Sequence, residues 1–195
     1  MPVELECKIH VDDLEVIASR LRELGADEEG GYFERNWVYD RPDRSMRAEQ
    51  MLLRLRDTGS GGDGLLTVKK PGNDARYKSR EEVQVMVGDT ETMREILSFL
   101  GYEETWYYEK YRDVWHYAGC EIVLDRLPEI GCYVEVEGGG GDEIERIILD
   151  MGLAPSNHIE KSYLELFACH CAATGRELCP MRFDRNKGQA ATKEL

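Results

Sequence analysis

Charged residues recur at every second position in several short stretches of this sequence, with apolar residues between them. The first stretch contains Glu4, Glu6 and Lys8, and a late stretch contains Glu135 and Glu137. Because a β-strand directs alternate side chains to opposite faces, the charges of each stretch share one face. Carboxylates suit Mg²⁺ or Mn²⁺, which are hard cations that prefer oxygen ligands. The spacing therefore predicts metal-binding carboxylates on one face of at least two strands.

Basic residues follow the same alternation in other stretches. Arg54 and Arg56 share one strand face, Lys110 and Arg112 share another, and Lys69 lies on the polar face of a third strand. Arginine binds phosphate oxygens in a bidentate geometry. Buried charges are costly unless they are paired or bind a ligand. Acids and bases together therefore predict a complex of metal and polyphosphate, and the alternative is a salt-bridged core without a ligand.

The elements that must position these residues are mainly strands joined by hairpins. Helical spacing of apolar residues is confined to four stretches, which begin after Asp13 and near residues 90, 142 and 162. Many hairpin-linked strands with few helices predict an α+β, mainly β fold whose antiparallel sheet is closed or nearly closed. If the helices cover the aliphatic strand faces, the charged faces point into the barrel.

The composition argues against two classes of function. The net charge of −14 argues against nucleic-acid binding, which needs a basic surface. No apolar run approaches the length of a membrane span, so we expect no membrane association. The first residues, Met-Pro-Val-Glu, do not resemble a secretory signal, and the six cysteines are therefore expected to be reduced thiols of a cytoplasmic protein.

Seven motifs resemble those of the CYTH superfamily, the triphosphate tunnel metalloenzymes. They are E-x-E-x-K at 4–8, L-R-x-R at 53–56, T-x-K at 67–69, R-x-E at 80–82, E-K-x-R at 109–112, late acids at 125 and 135–137, and S-Y-x-E-L at 162–166. One such motif would be weak evidence, but seven in the right order over residues 1–168 make a specific resemblance.

The resemblance implies an eight-stranded antiparallel tunnel that binds a triphosphate with Mg²⁺ or Mn²⁺. The metal-ligand candidates that it implies are Glu4, Glu6, Glu82, Asp125, Glu135 and Glu137. The implied phosphate-binding residues are Lys8, Arg54, Arg56, Lys69, Arg80, Lys110, Arg112 and Lys161. We expect Glu6, Lys8 and Glu137 to act in catalysis. Gln84 departs from the family pattern, in which another acid often occupies that face.

The reaction depends on the nucleophile that attacks the triphosphate. The chain resembles most closely the class IV adenylyl cyclase and thiamine triphosphatase-like group, and the favoured hypothesis is conversion of ATP to cyclic AMP and pyrophosphate. With water as nucleophile, the protein would be an inorganic or organic (thiamine) triphosphatase. A third hypothesis is a non-catalytic polyphosphate-binding protein, because no general base of neutral pKa is evident. The same tunnel serves each activity, so the fold does not decide between them.

The sequence predicts a tunnel domain at 1–168 followed by a mobile, partly basic tail at 169–195. The tail carries residue types that bind zinc, at a spacing that matches no common zinc finger. The alternative for these residues is a cysteine cluster at the end of a helix: Cys169, His170, Cys171 and Cys179.

The aromatic residues leave two interpretations open. Trp37, Trp106 and Trp115 either pack under covering helices or stack on the base of a nucleotide at the tunnel mouth. The organic group of the substrate therefore stays undetermined, and nucleoside, thiamine and inorganic triphosphates are all candidate partners. An exposed aromatic face would suit a homodimer.

Overall fold

The computed structural model describes residues 3–59, 64–72 and 78–184, without the side chains of Val3, Glu4 and Lys78. This part of the chain contains eight strands: β1 (Val3–Val11), β2 (Asp27–Asp40), β3 (Leu52–Asp57), β4 (Gly64–Pro71), β5 (Lys78–Val87), β6 (Glu103–Tyr117), β7 (Cys120–Leu127) and β8 (Gly131–Gly138). The α-helices are α1 (Leu14–Glu23), α2 (Ser45–Ala48), α3 (Thr90–Phe99), α4 (Gly141–Asp150) and α5 (Tyr163–Ala173). No helix in the described ranges is long and apolar enough to span a membrane.

The strands form a closed barrel in the order β1-β5-β4-β3-β2-β6-β7-β8. Every neighbouring pair is antiparallel, from β1 with β5 to β1 with β8. The prediction of a closed, mainly β antiparallel barrel is thereby confirmed. The register fixes which side chains of adjacent strands meet, and it therefore determines the composition of the interior.

Helices α1 and α4 cover the aliphatic outer face of β1, β7 and β8. Cys7, Ile122 and Val136 lie on this face and pack with Ile147 and Ile148 of α4, and all five are almost completely buried. Burial of one such aliphatic side chain contributes about 2 kcal/mol. Because this apolar packing occupies the outside of the barrel, the alternate, charged positions are forced to point inward.

Helix α3 covers the opposite side of the barrel. Asp89 caps it by accepting a hydrogen bond from the Thr92 amide at 3.0 Å. The helix contributes Leu97 to a cluster with Leu53 and Leu55 of β3. The same cluster contains Trp37 and Tyr107, which are therefore outward-facing packing residues.

Helix α5 and the segment after it, up to residue 184, pack on the barrel, and the division into two parts at residue 168 stays a prediction. The helix extends through residue 168, and Met181 is fully buried. Strand β7 pairs with β6 only from Tyr111 onward, so an edge of β6 is left open. Met181 fills it, donating to the Tyr107 carbonyl at 3.0 Å and accepting from the Glu109 amide at 2.9 Å. Residues 185–195 of the predicted tail lie outside the described residues.

Candidate active site inside the barrel

Lys110 lies in the middle of the interior between two buried carboxylates. Its Nζ is 2.9 Å from Oδ2 of Asp125 on β7 and 3.4 Å from Oε2 of Glu34 on β2. The Lys110 side chain is 1% exposed and both carboxylates are completely buried. Such a desolvated charge is tolerated because it is paired on both sides.

Arg112 lies next to Lys110 on the inward face of β6 and makes three short contacts with carboxylates. Its Nε is 2.8 Å from Oδ1 of Asp125, and its Nη2 is 2.6 Å from Oδ2 of Asp125 and 2.7 Å from Oε2 of Glu135. Burial opposes the charged form, but Asp125, with Glu34 and Glu135, raises the pKa of Arg112 well above its ordinary value. Arg112 is therefore a permanent cation at the centre of the barrel.

Asp125 accepts hydrogen bonds from three side chains. Besides Lys110 and Arg112, the hydroxyl of Tyr163 on α5 donates to its Oδ2 at 2.9 Å. Both carboxylate oxygens of Asp125 thus accept hydrogen bonds from these donors. This environment fits an internal counter-ion better than the metal ligand that the sequence predicted.

Lys8 on β1 is a second buried cation. Its Nζ lies 3.2 Å from Glu6 and 3.1 Å from Glu135, and the side chain is 2% exposed. Burial lowers the pKa of Lys8, but Glu135 and Glu6 outweigh it and raise the pKa above the ordinary value. Lys8 stays protonated near neutral pH and can bind phosphate, but it cannot serve as a proton acceptor.

Lys161 does not place its ammonium group in the interior. Its side chain is exposed, and its Nζ lies 3.5 Å from Sγ of Cys169. Only its backbone carbonyl reaches the barrel, where it accepts a hydrogen bond from Nζ of Lys8 at 3.4 Å. In this structure Lys161 contributes a backbone contact to the interior, and phosphate binding by its side chain stays a prediction.

The acid-rich wall of the interior is formed by β1 and β8. Glu6 and Glu137 are direct register partners, and Lys8 is the partner of Glu135. Burial raises the pKa of Glu137 to about 7; Glu135 and Glu6 add to the rise, and Lys69 and Arg112 oppose it. A divalent cation would relieve this crowding of negative charge, and carboxylate oxygens are the ligands that Mg²⁺ and Mn²⁺ prefer. The side chain of Glu4 is outside the described residues.

These carboxylates are held by cations and do not converge on one point. Within the described residues, no three His, Cys, Asp or Glu side chains are grouped closely enough to hold a metal ion. Glu135 contacts Lys8 and Arg112, and Glu6 contacts Lys8. Glu82 pairs instead with Lys69 of β4, its direct register partner. Metal binding by Glu6 and Glu135 would therefore require that these ion pairs rearrange.

The basic wall lies across the interior on β3 and β4. Arg54 is 9% exposed, and Thr67, its register partner, is completely buried. Among the described residues, Nε of Arg54 and Oγ1 of Thr67 have no hydrogen-bond partner. Two buried donors without acceptors are costly, so this wall fits a ligand made of acceptor oxygens.

Arg56 and Arg80, which are also predicted to bind phosphate, lie in different places. Arg56 contacts Oε1 of Glu34 through Nη1 at 3.1 Å, and its Nε donates to Oδ1 of Asn36 at 3.3 Å. Arg80 of β5 donates to the Gln50 carbonyl at 3.0 Å. Arg56 thus faces the interior, whereas Arg80 is directed to the segment before β3 at the rim of the barrel.

Comparison with known proteins assigns this barrel to a family. The model of the CYTH domain matches residues 3–163. The chain belongs to the CYTH family. A relative from Methanocaldococcus jannaschii, named "Putative adenylate cyclase", is 30% identical over 173 residues, which cover 84% of this chain and 98% of that protein.

Two solved structures show the same CYTH architecture. A Vibrio parahaemolyticus protein of the same description superposes with a TM-score of 0.74 at 20% identity, covering 85% of this chain and 97% of the other. A Hippeastrum protein under a similar name, described with a dominant triphosphatase activity, gives a TM-score of 0.64 at 14% identity, covering 91% and 98%. At these identities, the likeness supports the fold alone.

Sequence reasoning missed several inward-facing residues of the CYTH barrel. Glu34 and Asn36 are completely buried on the inner face of β2. Glu121 has the same strand parity as Asp125 and is the register partner of Glu137. The alternation of Glu34 and Asn36 with the outward-facing Trp37 was the available signal on β2.

The three cysteines near the end of the described CYTH chain differ in their burial and in their neighbours. Cys169 is exposed, Cys171 is 2% exposed, and Cys179 is partly buried beside Arg176. Positions 169 and 171 lie on different sides of α5 because the helix turns about 100° per residue. The described residues therefore give no support to the zinc alternative.

All three tryptophans are packing residues in this CYTH protein. Trp37 and Trp106 are 6% exposed and Trp115 is 1% exposed. The Trp106 indole nitrogen donates to the Cys179 carbonyl at 3.2 Å. The packing interpretation is confirmed, and these rings do not offer an open stacking surface to a base.

Proposed function

We propose that this CYTH protein is a divalent-metal-dependent enzyme that hydrolyses a triphosphate. The observation that carries the proposal is the pair of unsatisfied buried donors, Nε of Arg54 and Oγ1 of Thr67, on the wall opposite the acids of β1 and β8. Phosphate oxygens are acceptors only, so a phosphate chain would satisfy both donors. The negative charge of this phosphate chain would be balanced by the basic side chains next to Arg54 and Thr67.

The acid-rich wall and the basic wall would have different roles. Glu6, Glu135 and Glu137 would hold Mg²⁺ or Mn²⁺. When bound, such a cation activates water and neutralises charge on phosphoryl oxygens. Arg54, Arg56 and Lys69 bind and orient the phosphates, and Lys8 supplies positive charge where negative charge develops. Lys110 and Arg112, whose charges are already paired with Glu34 and Asp125, fix the geometry between the walls.

Cyclisation of ATP is the second candidate. It is favoured by the name of the Methanocaldococcus jannaschii relative, which is 30% identical. It would use the same walls with the ribose 3′-hydroxyl as nucleophile. It requires that the adenosine be held, and the three tryptophans that could stack on a base are buried in the described structure. Hydrolysis does not require recognition of an adenosine and is therefore the favoured activity.

A product-resolved substrate panel tests the proposal. ATP, GTP, thiamine triphosphate and tripolyphosphate are incubated with Mg²⁺ or Mn²⁺, and the products are separated by chromatography. Orthophosphate release without cyclic AMP is the expected result, and cyclic AMP with pyrophosphate would favour the second candidate. The variant Glu137→Gln should lose turnover, whereas the exposed Glu91→Gln should not. Binding without turnover would support the polyphosphate-binding alternative. A cytoplasmic location and a homodimer stay predictions.

A further inference from the structure

We infer that two copies of this chain associate through β5, with residues 82–87 of one copy lying antiparallel to residues 82–87 of the other. Three features of the barrel surface meet at this stretch: a strand edge without a neighbour, an aliphatic sheet face without a helix over it, and a spare apolar side of α3. The association is independent of the reaction that the interior performs.

The second half of β5 has a neighbouring strand on one side only. Strand β4 pairs with residues 80–87 of β5, but β1 pairs only with residues 78–81. The described part of β1 begins at Val3, the register partner of Glu81, so no described strand lies beside residues 82–87 on that side. At every second residue of an antiparallel strand, the N–H and the C=O point away from a given neighbour. An edge of this kind is a template for pairing with another chain.

This edge lacks the features by which strand edges usually resist association, which are lysine, proline and inward-pointing charges. The sequence of residues 82–87 is E-V-Q-V-M-V, and only its first residue is charged. Glu82 forms an ion pair with Lys69 of β4 in its own barrel, so its charge is compensated. The edge therefore presents five uncharged residues in a row to an approaching strand.

The outer face of the same stretch is apolar and exposed. Val83 and Val85 share the outward face of Val87, and each is 58% exposed. Val87 is buried in the cluster of α3 and β3, and Leu66 and Val68, the register partners of Val85 and Val83, pack against that cluster. The cover that α3 provides thus ends at β4, and α1 and α4 pack over β1, β7 and β8. The gap between the described helices lies over β5.

Helix α3 turns a spare apolar side toward this gap. Its opposite side faces β2, because the Arg94 guanidinium lies 4.9 Å from the ring centroid of Trp37. An α-helix turns about 100° per residue, so Ile96 and Leu100 lie on the side toward β5. Ile96 is 43% exposed, Leu100 is 69% exposed, and the neighbouring Phe99 is 89% exposed. These side chains and the valines of β5 form one continuous apolar patch.

The size of the patch fits an interface between two protein subunits. Its five exposed side chains present roughly 500 Å² of apolar surface, more than the few hundred Å² that a monomer usually exposes in one patch. With the backbone of the edge, this surface comes near the ~800 Å² per subunit that a standard interface buries.

A second copy is the occupant that matches both parts of the patch. Across a two-fold axis at the middle of the edge, the two β5 strands run antiparallel and their outward valines lie on the same face of one continuous sheet. The two α3 helices then face each other over these valines, so each copy supplies the helix cover that the other lacks. The patch contains no charged side chain that would select a partner of opposite charge.

Sedimentation velocity of the full chain tests the interface. The wild type should be a dimer at micromolar concentrations, and Val85→Asp should raise the Kd of the dimer at least 100-fold. Val16→Asp is the matched control, because it adds the same charge at a valine of α1 that is 64% exposed and lies away from β5. Its Kd should change less than threefold. A monomeric wild type would overturn the inference, and so would a Val85→Asp dimer as tight as that of the control.

Hydrogen exchange of the wild type locates the interface without a substitution that could affect folding. Exchange in residues 82–87 should slow at least tenfold as the concentration rises from monomer to dimer, whereas exchange in α1 should not change. Exchange in residues 82–87 that did not depend on concentration would contradict pairing through this edge.

The salt dependence provides a further test of an apolar interface. Each chain carries a net charge of −14, so two copies repel each other at low ionic strength. The dimer should therefore become tighter as NaCl is added. A dimer that dissociated with added NaCl would be held by ion pairs, which would overturn association through this patch.

Discussion

Glu34 and Lys110 are direct register partners on β2 and β6, and their side chains meet inside the barrel with 3.4 Å between Oε2 and Nζ. Glu34 also contacts Arg56 at 3.1 Å and accepts a hydrogen bond from Asn36 at 3.3 Å. Burial would raise the pKa of Glu34, but Arg56, Lys110 and Arg112 lower it well below the ordinary value. One buried carboxylate thus joins the basic wall to the central cations.

Glu34→Gln should destabilise the protein, because it leaves buried cations without their counter-charge. We expect a loss of about 3 kcal/mol in the free energy of unfolding, measured by urea denaturation. Glu91→Gln removes an exposed partner of Arg94 and should cost less than about 0.5 kcal/mol. Equal losses in the two variants would argue against a paired charge in the interior.

Arg56→Gln should weaken the binding of tripolyphosphate at least tenfold, since it removes a cation from the basic wall. Arg35→Gln is the matched control, because Arg35 is 45% exposed and pairs with Asp57 on the outer face. Its effect on affinity should be less than twofold. Calorimetric titration in a buffer of fixed ionic strength measures both, and an equal loss would mean that binding follows net charge alone.

The stability of the metal-free protein should depend on pH through Glu137. Burial raises its pKa to about 7 from an ordinary value of 4.5. The stability that protonated Glu137 contributes is therefore fully present below pH 4.5 and is lost as the pH rises through 7. Relative to Glu137→Gln, which stays neutral, the wild type should lose roughly 3 kcal/mol over this window. Saturating Mg²⁺ should reduce the difference. A difference that does not vary with pH would contradict the raised pKa.

Buried thiols should resist alkylation while the barrel is folded. Burial raises the pKa of Cys7 to about 12, with Glu6 adding to the rise and Lys8 opposing it, and burial raises the pKa of Cys120 to about 11. At pH 8 only about 0.01% of Cys7 is thiolate, and iodoacetamide should label the exposed Cys169 first. Mass spectrometry of the native and denatured protein measures the order, and rapid native labelling of Cys7 would contradict it.

Strand alternation was sufficient to predict which faces of β1, β3 and β8 carry charge. Glu6 and Lys8 share the inner face of β1, and Arg54 and Arg56 share the inner face of β3, as their spacing of two residues requires. The helices over the outer face followed from apolar periodicity and capping residues such as Asp89. Local rules sufficed here because they depend only on the backbone geometry of each element.

Only the tertiary structure decided which charges meet. Asp125 and Tyr163 are separated by 38 residues, and their hydrogen bond depends on where α5 crosses the end of the barrel. The same placement turned Lys161 outward and buried Met181 on the open edge of β6. Pairing across strands depends on register and barrel closure, which no single stretch of sequence encodes, so the division into acid and basic walls was fixed by the assembled sheet.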